Sequence, residues 1–357
     1  MRTAFDCFSG LGGLSLAAEL AELDLIGGVD SDPEAIECYK RIFPGKLALH
    51  HDLLTDSPTD VLRVAGISRG DVDILVGGPP CQPYSINNHK RGTGDERCQL
   101  IERYLEFVRV LQPEWLLIEN VPGFAFIESG LFFAWLLRSV RARGYAVAHM
   151  ILDAAMFGVP QKRRRLVILA CRERSKLEKA IDAISVIHTR PVTVGDALGD
   201  LPPRPAAETS YCKSATTQFR RIMRKGAPRT ITAHVGSGLH VKNLRRISYI
   251  PAGGNWRNIP RRLLPPGMKR AHLSDHTTRY GRLHTKAPAF TLLTKCDPHW
   301  GCFLHPGQDR VITVREAARL QSIPDRVPFS DSLTASYRLI GNAVPPLLGG
   351  RILAVLQ

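Results

Sequence analysis

Ile74-Leu75-Val76-Gly77-Gly78-Pro79-Pro80-Cys81-Gln82-Pro83-Tyr84-Ser85 is the stretch from which the rest of the chain is read. The apolar run describes a buried parallel strand, and the glycines and prolines after it end that strand abruptly. The turn leaves one thiol, Cys81, at the carboxyl end of a strand, where open α/β sheets hold their ligands. Prolines on both sides restrict the backbone. A thiol presented in this way is a candidate nucleophile. A lone cysteine is more often a small buried core residue, so the decision rests on what surrounds it.

The same strand-then-turn grammar opens the chain. Thr3 to Phe8 reads as a strand running into Ser9-Gly10-Leu11-Gly12-Gly13, followed by an apolar helix from Leu14 to about Leu23. Glycines admit close approach of a ligand, and a helix start offers free N–H groups. A second strand, Leu25 to Val29, ends at Asp30, twenty residues after Gly10. An acid at that spacing meets ribose hydroxyls in nucleotide-binding βαβ units. The Gly-x-Gly-Gly spacing departs from the dinucleotide form and no phosphate-binding lysine follows, which disfavours an NAD site.

Beyond the thiol comes Asn87-Asn88-His89-Lys90-Arg91-Gly92-Thr93-Gly94-Asp95, a polar loop. A helix over about Arg97 to Leu111 leads to a strand, Trp115 to Ile118, that ends in Glu119-Asn120-Val121-Pro122. Glu119 belongs on the same rim as Cys81, and burial there would raise its pKa and favour the protonated form. Tyr145 to Ala155 reads as another strand. Gly158-Val159-Pro160-Gln161-Lys162-Arg163-Arg164-Arg165 then precedes the apolar strand Leu166 to Ala170. In an extended chain alternate side chains share a face, so Arg163 and Arg165 point one way and Lys162 and Arg164 the other.

Charge divides the chain. The net charge is +15, and residues 188–310 alone hold 21 Lys/Arg against 6 Asp/Glu, while the remainder holds 27 of each. Confining the excess to one segment points to a polyanion-binding module rather than a solvated face. Apolar periodicity is poor there. The eight cysteines form no paired framework, as in reduced thiols. The start lacks the apolar core of a signal peptide, and no apolar run approaches the ~20 residues of a membrane helix. The sequence thus predicts a cytoplasmic protein with no membrane span. Cys296, His299, Cys302 and His305 are zinc-ligand types at poor spacing, and no metal is predicted.

Arg310 to Gln321 reads as a strand-to-helix unit starting at Thr313-Val314-Arg315-Glu316, and Gly341-Asn342-Ala343-Val344-Pro345-Pro346 leads into the apolar helix Leu347 to Leu356. The Pro-Cys-Gln loop, Phe8-Ser9-Gly10-Leu11-Gly12-Gly13, Glu119-Asn120-Val121, Gln161-x-Arg163-x-Arg165, Arg315-Glu316-Ala317 and Gly341-Asn342 resemble, in order, the motifs of cytosine-5 DNA methyltransferases. The resemblance runs from Phe5 to about Gly349, with little to match between His188 and Pro228. It implies a Rossmann-like α/β fold with a mostly parallel sheet, the architecture of S-adenosylmethionine-dependent methyltransferases, plus a smaller basic target-recognition domain. The catalytic domain spans residues 1–187 and is completed by 331–357. Residues 188–330 form the target-recognition domain.

The resemblance also implies roles. Cys81 is the nucleophile, Glu119 serves ring nitrogen 3 of cytosine, and Arg165 its carbonyl. Arg163 serves a phosphate or supports the site. Phe8, Gly10, Gly12, Gly13, Asp30, Asp52 and Pro80 surround S-adenosylmethionine, with Asp30 on the ribose and Asp52 on the adenine amino group. Asn342 hydrogen-bonds the Pro-Cys loop, the last helix packs on the first cofactor-binding strand, and the loop at 87–95 closes over the DNA. The implied partner is double-stranded DNA, approached by a monomer near the nucleoid, with a cognate restriction endonuclease as a genetic partner. An RNA cytosine-5 methyltransferase is the alternative, although its Cys-Phe-Thr signature has no free counterpart here. A nucleic-acid-binding protein that has lost catalysis would not keep Cys81, Glu119, Arg163 and Arg165 together with the cofactor loop.

Overall fold

The computed structural model describes residues 1–80 and 99–357, so Cys81 and the 87–95 loop lie outside the described residues. It contains two compact units. The first comprises Met1–Phe157, Arg164–His188 and Ala343–Gln357; the second comprises Gly158–Arg163 and Thr189–Asn342. Residues 331–342, which the sequence places with the catalytic domain, pack within the second unit.

The first unit alternates strand and helix: β1 (Thr3–Cys7), α1 (Gly13–Leu20), β2 (Asp24–Asp30), α2 (Pro33–Ile42), β3 (Leu47–His50), α3 (Pro58–Ala65), β4 (Ile74–Gly77), α4 (Gln99–Leu111), β5 (Trp115–Asn120), α5 (Leu131–Arg141), β6 (Ala146–Asp153), β7 (Arg164–Cys171) and α6 (Arg174–Ser185). The strands form a seven-stranded sheet in the order β3-β2-β1-β4-β5-β7-β6. β1 to β5 pair in parallel, whereas β7 runs antiparallel to both β5 and β6. Every residue of β4 and β5 is buried, as expected of strands covered on both faces. Strand order reverses between β1 and β4, so the carboxyl ends of β1, β2, β4 and β5 open onto one crevice.

The second unit is built differently. Short helices α7 (Val194–Leu198), α8 (Gln218–Arg224), α9 (Val241–Ile247), α10 (Val314–Leu320) and α11 (Leu333–Asn342) surround a two-stranded sheet of β8 (Ala206–Ser210) and β9 (Thr230–His234). Ile247, Ile250, Trp256, Ile259, Met268, Tyr280, Leu304 and Val311 form a small apolar cluster. Long irregular stretches leave backbone carbonyls without ladder partners, and buried groups of that kind need donors. Arginines supply them. Arg282 donates to the carbonyls of Ile250 (2.7 Å), His305 (2.9 Å), Gln308 (2.5 Å) and Ile247 (2.9 Å), and to Asp309 Oδ1 at 2.5 Å. Arg319, fully buried, binds Asp200, Asp325 and the carbonyl of Ala197. The strand expected near residue 310 is reduced to an isolated bridge between Leu304 and Val311.

The chain returns to the first unit through α12 (Pro346–Leu353). This helix packs on α1 rather than on β1 as the family resemblance implied. Two glycines explain the contact: a Cβ on Gly13 would meet Val344 O at 2.5 Å, and one on Gly349 would meet Ala17 Cβ at 2.7 Å. Two helical stretches, Pro122–Arg141 and Leu333–Leu356, do reach the length and hydropathy of a membrane span, contrary to the sequence reading. Neither is continuous. Ile127, Glu128 and Ser129 leave helical geometry, Pro345 and Pro346 interrupt the second, and 72% of its most apolar window is buried in the protein. The second therefore has the burial of a core helix, and the first is broken at its middle.

Candidate active site and cofactor loop

The turn after β1 is shaped by left-handed backbone. Phe8 has φ 64°, Gly10 φ 52° and Gly12 φ 90°, a conformation that disfavours any residue with a Cβ. Phe8 accepts that strain where its ring packs against the apolar core. The turn is tied to β2: Ser9 N–H donates to Val29 O at 3.0 Å, and Gly10 N–H donates to Asp30 Oδ2 at 2.7 Å. Asp32 N–H holds the other carboxylate oxygen at 2.9 Å. Burial raises the Asp30 pKa, opposed by these N–H donors.

Whether this turn fits a nucleoside cofactor is tested by the space around it. A Cβ on Gly10 would meet nothing within 4 Å, so the turn faces open volume. Ser9 Oγ is buried with no hydrogen-bond partner among the described residues. Asp30 sits half-exposed at the same edge with acceptor capacity to spare. A carboxylate, a spare hydroxyl and an unfilled cradle fit the hydroxyls and backbone of such a group. Asp52 follows β3 on an exposed turn, next to His51, whose N–H donates to Asp30 O at 3.1 Å; Asp52 Oδ1 accepts the Leu54 N–H at 3.0 Å.

Beneath the turn the structure adds a residue that the motif reading passed over. Asp6 on β1 is 1% exposed. It accepts from Ser15 Oγ at 2.7 Å, and Ser15 Oγ lies 2.9 Å from Tyr39 Oη. Burial, only partly offset by Ser15, lifts the Asp6 pKa to about 7. The available signal was an acid in the middle of an otherwise apolar strand.

Across the crevice, Glu119 and Asn120 end β5, both buried. Glu119 Oε1 pairs with Arg165 Nε at 2.7 Å. A Cβ on Gly78 would stand 3.5 Å from Glu119 Oε2, so the turn ahead of Cys81 passes beside this carboxylate. Asn120 Nδ2 donates to Pro79 O at 3.1 Å, and Asn120 Oδ1 accepts the Val121 N–H at 2.9 Å. Asn120, which sequence reading left without a role, thus ties the turn ahead of Cys81 to the end of β5. Asn342, expected to hydrogen-bond the Pro-Cys loop, is exposed at the end of α11 in the second unit, and the Cys81 it would serve lies outside the described residues.

The expected alternation along 161–165 is present: Gln161, Arg163 and Arg165 are buried while Lys162 and Arg164 are exposed. Burial lowers the Arg165 pKa, and Glu119 opposes that shift. Arg163 is 2% exposed and donates to the carbonyls of Leu292 (3.1 Å) and Gly341 (2.7 Å). Both carbonyls belong to the second unit, whose backbone these bonds tie together. Gln161 binds Leu320 O and the Leu292 N–H in the same way. Among the described residues, no group of three or more His, Cys, Asp or Glu is placed to hold a metal ion.

A reversed seventh strand, a left-handed glycine turn after β1 and an acid closing β2 define the S-adenosylmethionine-dependent methyltransferase class. Residues 2–357 match the family described as C-5 cytosine-specific DNA methylase, and the chain belongs to that family. S-adenosylmethionine is the methyl donor that membership implies. Type II methyltransferase M.XorII of Xanthomonas oryzae pv. oryzae is 32% identical over 99% of this chain and 84% of its own length. Type II methyltransferase M1.HphI of Haemophilus parahaemolyticus is 31% identical over 98% of this chain and 85% of its own. Among solved structures, a candidate DNA modification methyltransferase encoded within an E. coli prophage superposes with TM-score 0.79 at 27% identity, covering 100% of this chain and 98% of that one. Dnmt2 of S. pombe, with TM-score 0.56 at 20% identity over 100% and 98% of the two chains, is alike in fold alone.

Proposed function

We propose that this DNA cytosine-5 methyltransferase acts through a transient bond between Cys81 and carbon 6 of a cytosine turned out of duplex DNA. The supporting observation is the Glu119–Arg165 pair, 2.7 Å apart, beside the turn that leads to Cys81. Carbon 5 of cytosine is a poor nucleophile until the ring loses its aromaticity. Addition of the Cys81 thiolate at carbon 6 moves electron density to carbon 5 and divides one hard step into two easier ones. Glu119 holds a hydrogen bond at ring nitrogen 3, and Arg165 stabilises charge at the carbonyl. Because the pair is already formed, the two groups meet the base as one preorganised unit. Loss of the carbon 5 proton after methylation expels the Cys81 sulfur and restores the ring.

S-adenosylmethionine, when bound, supplies an electrophilic sulfonium methyl. Phe8, Gly10, Gly12, Gly13, Asp30, Asp52 and Pro80 hold it. The base must leave the stack first, at about a few kcal/mol, which phosphate contacts to the basic second unit offset. The chain works as a monomer on DNA in the cytoplasm, and its Type II relatives favour a restriction-modification setting with a cognate endonuclease.

The test is a covalent trap. A pool of genomic duplex synthesised with 5-fluorocytosine, incubated with the protein and S-adenosylmethionine, is expected to leave DNA joined to residue 81, because fluorine cannot depart as a proton does. Cys81→Ala should give no adduct. An unmodified Cys81 peptide after incubation with DNA the protein demonstrably methylates would refute the covalent route.

A further inference from the structure

The second unit exposes one tryptophan in an unusual setting. Its other tryptophan, Trp256, is 2% exposed in the apolar cluster, whereas Trp300 is 49% exposed. A single exposed apolar side chain is ordinary on a protein surface; Trp300 is set apart by how it is held and by the cation placed on it. Trp300 is firmly mounted. Its N–H donates to Asp297 O at 2.9 Å, His299 N–H donates to Asp297 Oδ1 at 2.9 Å, and Tyr280 N–H donates to Pro298 O at 2.5 Å. A chain of rings backs it: Trp300 lies edge-on to His299 at 5.8 Å, and His299 edge-on to Tyr280 at 5.7 Å. Tyr280 is 1% exposed and its hydroxyl donates to Asn243 Oδ1 at 3.1 Å. Burial holds the His299 pKa below its ordinary value, with Arg279 adding to the effect, so the intervening ring is neutral at pH 7.

Over the indole sits a guanidinium. Arg279 Cζ lies 5.0 Å from the Trp300 ring centroid, within the range of a cation–π contact. A ring beneath the guanidinium narrows the orientations open to it while leaving its N–H fork to bind something else. Arg257, Arg261, Arg262, Lys269 and Arg270 on the same unit are exposed, so its field attracts a polyanion. An arginine held over a ring has two possible uses there. A phosphate takes the fork two N–H groups at a time as well, but its tetrahedral oxygens accept it from many directions. The edge of guanine in the major groove accepts it only in the plane of the base, so a restricted guanidinium favours that second use.

We propose that Arg279, held over Trp300, is a specificity-determining residue: its fork reads a guanine within the target sequence. This rests on the chain acting on DNA, as its family does.

The test uses the full-length protein and a duplex pool with randomised flanks around cytosine, methylated to low extent and sequenced after bisulfite conversion. The parent first shows its preferred site. If it modifies no cytosine in the pool, the family-based activity fails, independently of Arg279. Given a site, Arg279→Ala is expected to lower the preference for guanine at one position by about 5- to 150-fold. Arg279→Lys, which keeps the charge and loses the fork, should lose the preference as well. Trp300→Ala should relax the same position, and Trp300→Phe should relax it less. The salt dependence of DNA affinity should stay close to the parent's. A uniform loss across all sequences, with the salt slope reduced by about 1, would show a phosphate contact and overturn the proposal. So would an unchanged preference, or relaxation at different positions for Arg279 and Trp300. Thermal melts distinguish these results from unfolding, and the Lys and Phe variants carry the test if the Ala variants fail to fold.

Discussion

The two units keep buried polar groups in opposite ways. In the first, a seven-stranded sheet pairs its own backbone, and a conspicuous buried ionisable group is an acid, Asp6, which accepts from the Ser15 hydroxyl that in turn meets Tyr39. In the second, much of the backbone has no ladder, and arginines are drawn inside to satisfy it. The basic excess of residues 188–310 is therefore not all surface. Arg220 and Arg282 are buried, and Arg310 is spent on Glu316 at 2.7 Å. A charge count from sequence overstates what remains for DNA.

The contrast is broken most directly at Arg282. Arg282→Ala removes donors from four carbonyls and from Asp309, leaving buried acceptors unpaired. The expected loss is about 3 kcal/mol, since each buried carbonyl left without its donor costs about 1–3 kcal/mol, seen as faster amide exchange in residues 247–311 while β1, β4 and β5 keep their protection. Arg282→Lys should not restore it, because a point charge cannot reach so many carbonyls at once. Exchange unchanged in 247–311 would mean that the apolar cluster, not the guanidinium, holds this unit.

The counterpart in the first unit is Asp6, and its effect depends on pH. Its pKa is lifted to about 7 in the fold from an ordinary carboxylate value of 3.8. The folded chain therefore keeps a proton that the unfolded chain has released, and stability falls as pH rises from about 4 to 7. Below that window Asp6 is protonated in both states; above it the carboxylate is ionised in both and the full cost of burying it remains. Asp6→Asn should remove this slope. Relative to the parent it should gain on the order of 2 kcal/mol between pH 5 and pH 8. Asp30 is also raised by burial and its charge helps to raise Asp6, so an Asp30→Asn background isolates the Asp6 slope. Equal differences at the two pH values would show that Asp6 does not titrate there.

What was legible in the sequence follows the same line. β1, β2, β4, β5 and β7 were readable because strands buried on both faces are continuous apolar runs, and their ends were marked by Gly12-Gly13, Asp30, Pro79-Pro80 and Asn120-Val121-Pro122. The inward turn of Arg163 and Arg165 was readable because an extended chain alternates. Arg163's partners, the carbonyls of Leu292 and Gly341, were not, since they lie 129 and 178 residues away and a carbonyl has no letter in a sequence. Asn120's hold on Pro79 was hidden for a similar reason: its value lies in the backbone atom it meets. The ring chain from Tyr280 to Trp300 spans two turns that no periodicity connects.

One element of the second unit was nevertheless written locally. Thr313-Val314-Arg315-Glu316 forms a capping box at the start of α10: Thr313 Oγ1 accepts the Glu316 N–H at 3.1 Å, and Glu316 Oε2 accepts the Thr313 N–H at 2.7 Å. A threonine three residues ahead of a glutamate signals a helix start because the two side chains satisfy each other's backbone. Thr313→Ala should cost about 1 kcal/mol, with Thr313→Ser close to the parent in chemical denaturation. The smaller effect follows from the kind of interaction. A cap rescues one N–H at a helix end, whereas Arg282 serves four carbonyls drawn from two segments, 247–250 and 305–308, at once. If Thr313→Ala proved as damaging as Arg282→Ala, α10 would be the organising element of this unit. The contact of Thr313 Oγ1 with His234 Nδ1 at 3.1 Å would then be the first place to look for the reason.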